Sequence, residues 1–193
     1  MSEHENNLGR SFCALVKRRS EENEIAIAAI VSRGVFSPAV AVLRQEIDSM
    51  IRAIFLLSKE IPEREVLIQS VLAGGRWRWP GKKARITDKE MVDFALKYEG
   101  WTKVAYEFGC AFVHLSQFHN YESQNPLAGL RDEDREIILH YPRQYHGAPD
   151  TNEPTALELL SLIPSVFEKV KSNVQLYLEE IEAGRDPALA LGL

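Results

Sequence analysis

Two polar stripes, each set into an otherwise apolar helical pattern, hold the residue types most able to do chemistry. In the stretch 37–58, apolar residues recur at three and four, with Val40, Leu43, Ile47, Met50, Ile51, Ile54 and Leu57 on one face. Arg44, Asp48 and Arg52 follow one another at i+4 steps along its edge, and Glu46 falls inside the opposite edge. In 101–121 the stripe is Lys103, Glu107 and His114, against an apolar face of Trp101, Val104, Phe108, Ala111, Phe112, Leu115 and Phe118. A charge buried without a partner costs several kcal/mol, so the two stripes are expected to face each other, joining Arg44, Asp48, Glu107 and His114 in one network. That network reads in two ways: the four residues satisfy one another in a core, or they form a pocket between two central helices for an anionic or polar ligand. Glu107, Cys110 and His114 share a side of their helix, but the paired Glu-x-x-His motifs of a di-iron bundle do not occur. No metal site is expected.

A second group lies at Arg76-Trp77-Arg78-Trp79-Pro80-Gly81-Lys82-Lys83-Ala84-Arg85-Ile86, where alternation around Pro-Gly predicts a short basic hairpin or extended loop near 76–86. Cations for phosphates and flat rings for bases suit single-stranded nucleic acid, which makes Arg76, Trp77, Arg78, Trp79, Lys82 and Lys83 candidate contacts. The favoured reading is plainer: both rings point one way and anchor the segment, leaving the cations in water. A third group crowds Arg131, Arg135, His140, Tyr141, Arg143, Tyr145 and His146 beside a long irregular segment, 141–153. Histidine titrates near neutrality and arginine stabilises phosphoryl charge, so acid–base work on a phosphodiester would belong there. A loop packed by its own aromatics explains the same residues. Phosphate-cradling Gly-rich loops, Gly-x-Ser-x-Gly and His-Glu-x-x-His do not occur, and no cofactor is expected.

The elements that must position these groups are helical almost throughout. Helices are predicted at about 8–32 with a bend or break in its polar middle 17–24, at 37–58 with Ser37 as N-cap and Pro38 at the first helical position, and from Pro62 to Gly74. Further helices are predicted at 87–98 behind a Thr87/Glu90 capping box, at 101–121, at 131–140 and from about Pro154 to Gly184. In the last of these, Leu160, Ile163, Phe167, Val170, Val174, Tyr177 and Ile181 alternate at three and four, the seam of a helix packed lengthwise on others, with a kink expected at Pro164. The expected fold is an all-α, single-domain bundle of about six helices covering 1–193.

A length of 193 residues, 45% hydrophobic and 26% charged, is that of one globular domain able to bury its own core. The net charge of -5 argues against coating nucleic acid by bulk charge, although a local basic patch remains compatible with it. Cys13 and Cys110 sit in apolar helical contexts, Met1 to Arg10 has no apolar run of a secretory signal, and no stretch approaches the roughly 20 apolar residues of a membrane span. A cytoplasmic location in a reducing compartment, with no membrane partner, is expected.

The Arg-containing inner helix, Leu43-Arg44 through Asp48 to Leu57, together with Val113-His114-Leu115-Ser116 and the separate Arg135-Glu-Ile-Ile-Leu-His140, resembles the HEPN superfamily and neighbouring bacterial helical families of unknown function over the middle half of the chain. Active HEPN proteins are metal-independent ribonucleases with an Arg-x4–6-His motif. The resemblance implies Arg135 as phosphate stabiliser and His140 as acid or base, with Glu136 standing where the family usually has Asn, Asp or His. Many relatives are inactive binding modules. Two functions are therefore in view: a non-catalytic ligand- or partner-binding module, regulatory in role, and a HEPN-like ribonuclease. The first is favoured, with homo-oligomerisation through the final helix or the apolar tail 187–193 as its partner expectation.

Overall fold

A computed structural model describes residues 3–122 and 124–185. Among them the chain forms seven α-helices and a 3-10 turn, so the bundle is all-α as expected, one helix for each predicted stretch. The helices are α1 (Glu3–Val31), α2 (Phe36–Leu57), α3 (Ile61–Leu72), α4 (Asp88–Ala95), α5 (Thr102–Val113), α6 (Asp132–His146) and α7 (Ala156–Glu182). The tail 187–193, offered as an oligomerisation surface, lies outside the described residues. No helix of the described residues is long and apolar enough to cross a membrane.

Three long helices make the frame. α1 runs antiparallel to α7, tied by Cys13 Sγ to the Leu178 carbonyl and by Lys171 Nζ to Glu24 at 2.6 Å. α2 lies against both. Two apolar clusters share this frame: one gathers Phe12, Met50, Ile54, Leu67, Trp77 and Leu178, the other Ile27, Phe36, Phe112, Leu139, Leu159 and Phe167. α2 and α7 start in the second cluster and finish in the first, so they run side by side in the same direction. The seam of α7 is used inside the chain: Leu160, Ile163, Phe167, Val170, Val174 and Ile181 are all buried in these clusters.

Local chemistry explains where the helices stop and where the sequence reading was wrong. α1 passes unbroken through its polar middle, because Ser20 and Asn23 there point inward onto a buried carboxylate, Glu46 of α2. α2 begins at Phe36 with Val35 as N-cap, so Ser37 is helical rather than capping, and Pro38 falls in the first turn, where its missing N–H costs nothing. At the other end of α2, buried Arg64 donates to the carbonyls of Leu56, Leu57 and Lys59 and to that of Arg185. One guanidinium thus satisfies helix-end acceptors and holds the chain beyond α7 against α3. α5 is half its expected length. His114 leaves the helical conformation and the Ser116 hydroxyl donates back to the Ala111 carbonyl at 2.7 Å, closing the helix and opening the 3-10 turn Gln117–His119. α6 is longer than expected, since it continues through Pro142 and ends at Gly147, whose φ of 65° supplies the left-handed cap. α7 likewise remains helical through Pro164.

Candidate functional site

α2, α5, α6 and α7 leave between them a cavity of about 660 Å³. Val40 and Leu43 of α2, Phe108 of α5, Ile138 of α6 and Leu162 and Ile163 of α7 form apolar walls. Tyr141, Tyr145 and Lys169, all exposed, mark its mouth, with the two tyrosine rings stacked at 6.0 Å between centroids. Along α2 the lining runs from Phe36 to Ile47, about 16 Å at the 1.5 Å helical rise, so the cavity is a slot rather than a sphere.

Two polar groups reach this slot from fixed positions. Glu99 sits at the turn into α5, its carbonyl accepting from the Thr102 amide and hydroxyl. Its carboxylate accepts from Asn173 Nδ2 and Tyr177 OH, both at 3.1 Å, and from Trp101 Nε1 at 3.0 Å. Burial pushes the Tyr177 phenol above its ordinary pKa and the neighbouring Glu99 charge adds to that, so the phenol stays a donor. The second group is Arg44, whose side chain is 12% exposed. Its guanidinium carbon lies 3.2 Å above the centre of the Tyr106 ring, its Nε donates to Cys110 Sγ at 3.4 Å, and Nη1 stands 3.8 Å from Asp48. Burial raises the Tyr106 phenol too, opposed by the Arg44 charge. Asp48 is shared, with Arg52 at 2.9 Å and Arg19 at 3.3 Å.

The four-residue network expected from the sequence therefore forms only in half. Arg44 and Asp48 meet, but Glu107 and His114 are exposed and join neither of them. The reason is the rotation of α5. Its buried face is Thr102, Tyr106, Gly109 and Phe112, roughly 120° from the face chosen on apolar spacing, and this turns Lys103 towards Asp93 of α4 and Glu107 towards solvent. The buried carboxylate of α2 is instead Glu46, fully enclosed and accepting from Ser20 and Asn23. Cys13 is no nucleophile at neutral pH, because burial pushes its thiol up to about 12.

Arg135 and His140 share α6 but point apart, five residues giving about 140° of rotation. Arg135 donates to the Leu130 carbonyl and pairs with Asp132, while exposed His140 sets its ring edge-on to Tyr141. In the basic hairpin, closed by the Arg78–Arg85 bridge, Trp77 is 3% exposed and stacks on Phe55, and Trp79 packs on the same ring. The Trp77 indole is enclosed and Trp79 is half-buried, whereas Arg76, Arg78, Lys82, Lys83 and Arg85 are exposed. Among the described residues no cluster of His, Cys, Asp and Glu is placed to hold a metal.

Sequence reasoning missed Glu99, Asn173 and Tyr177. Asn173 carried a usable signal, an amide set beside Val174 on the apolar side of α7. Glu99 carried none, since its partners come from 74 and 78 residues away. The chain matches no family model, and no curated protein or solved structure is significantly similar to it.

Proposed function

We propose that this protein is a non-catalytic helical module, regulatory in role, that binds a small, largely apolar molecule in the slot between α2, α5, α6 and α7. The observation that carries the reading is the slot itself: about 660 Å³, apolar and aromatic walls, and a few polar groups fixed in place by their own hydrogen bonds. Ligand sites of about 300–1,000 Å³ have this composition. The walls are contributed by four helices of one chain, so the site needs no partner to exist.

A neutral fluorescent probe, N-phenylnaphthylamine, should bind the full chain saturably at one site. Ile163→Trp or Val166→Trp, which place an indole in the slot, should abolish the signal while the helical circular dichroism persists. Probe binding that survives both substitutions would overturn the reading. Metal-free cleavage of RNA that vanished in His140→Ala would replace it with a HEPN-like ribonuclease.

A further inference from the structure

Resting on the slot as a ligand site, we propose that the bound molecule is an amphipathic anion, with an acidic headgroup held by Arg44 and an apolar body lying along α2 and α7. Arg44 lines the slot, yet its donors are poorly matched inside the protein. Nε faces a thiol sulfur, a weak acceptor. Among the described residues the terminal nitrogens reach no oxygen within hydrogen-bond distance, the nearest carboxylate being Asp48 at 3.8 Å. Asp48 also serves Arg19 and Arg52 at shorter range, so Arg44 is the least neutralised of the three.

The guanidinium places one face on Tyr106. Stacking of that kind uses the ring face of the cation and leaves its N–H edge for an acceptor, the geometry that binds carboxylate or phosphate with two parallel hydrogen bonds. The charge of the lining agrees. Lys169 adds a basic side chain to the lining, whereas Glu99, the one carboxylate among the lining residues, already accepts three hydrogen bonds from neutral donors. Elsewhere in the lining, Val40, Phe108 and Ile163 offer apolar surface to the remainder of the ligand.

The test is a matched series on the full-length protein: decanoate, decyl phosphate, decanol and decylammonium, each competed against N-phenylnaphthylamine. The two anions are expected to displace the probe at concentrations about tenfold or more below those of the alcohol, the gain from hydrogen bonds to a charged group. Decanoate ahead of decyl phosphate would point to a fatty or aromatic carboxylate, the reverse to a phosphorylated lipid. Arg44→Met should erase the preference of the anions over decanol, and Arg44→Lys should retain part of it. Equal displacement by all four would overturn the headgroup assignment and leave the slot standing. Preference for decylammonium would overturn it in favour of Glu99. Failure of the probe itself to bind would remove both proposals together. The wild-type series alone decides the matter if a variant fails to fold.

Discussion

At the scale of single residues, Gly109 decides how the slot is built. A Cβ placed there would lie 2.7 Å from Arg44 Cβ and 3.0 Å from its Cγ and Cδ, so α5 can press against the Arg44 stem only because the side chain is missing. Alanine in a helix interior is worth about 1 kcal/mol over glycine, whereas overpacking costs about 1–3 kcal/mol. The clash here is with an atom fixed to the backbone of α2, which cannot swing aside, so overpacking wins. Gly109→Ala is expected to lower the unfolding free energy by about 1 kcal/mol or more, read from the urea midpoint, and to reduce the advantage of decanoate over decanol in displacing the probe, because Arg44 is shifted. A rise in stability would mean that α5 and α2 stand further apart. A glycine inside a helical pattern marks close approach of another backbone, so this contact was legible in Phe108-Gly109-Cys110. The pairing of Arg44 with Tyr106 was not, because it depends on the rotation of α5, and α5 is apolar on nearly every side.

At the scale of elements, the clearest local signals were caps. Thr87 with Glu90 was read from the sequence as a capping box and is one, and Thr155 with Glu158 repeats it at the start of α7. In both, the carboxylate accepts from the backbone N–H and then the hydroxyl of the threonine, and these bonds hold Glu90 and Glu158 below the usual glutamate pKa. A carboxylate depressed in the folded state adds stability that is complete above its ordinary value of 4.5 and disappears as pH falls through the lower folded value. Thr155→Ala should therefore lower stability at neutral pH, and the gap to wild type in urea unfolding should narrow in acid. A gap independent of pH would show that the Thr155 hydroxyl does not help to hold Glu158 ionised, leaving that to the backbone N–H alone. Helix identity was legible throughout, because a period of three to four survives in every element. Helix ends were less so: the end of α5 depends on one Ser116 hydroxyl, and the continuation of α6 past Pro142 on Arg143, whose guanidinium binds Glu136, Thr151 and Asn152. Those contacts join segments that no periodicity connects.

At the scale of the whole molecule, the two apolar clusters are not equally tight around the slot. α2 and α7 thread both clusters, and thirteen residues of α2 are buried. α6 buries only Leu139 fully, exposes Ile137, Tyr141 and Tyr145, and turns its inner side to the slot instead of to packed side chains. Local opening is easiest where buried apolar contact is least, so α6 is the element expected to move first. Hydrogen exchange followed by mass spectrometry should show the amides of 138–144 exchanging well before those of 47–57 in the free protein. A ligand in the slot fills the space beneath α6 and binds the closed state preferentially, so saturating decanoate should slow exchange in α6 and leave α2 unchanged. Uniform slowing across all helices would mean that the ligand stabilises only against global unfolding, with the slot entered from another side. Selective protection of α6 would make that helix the reporter of occupancy, and its exposed Tyr141 and Tyr145 the surface whose presentation changes with the ligand.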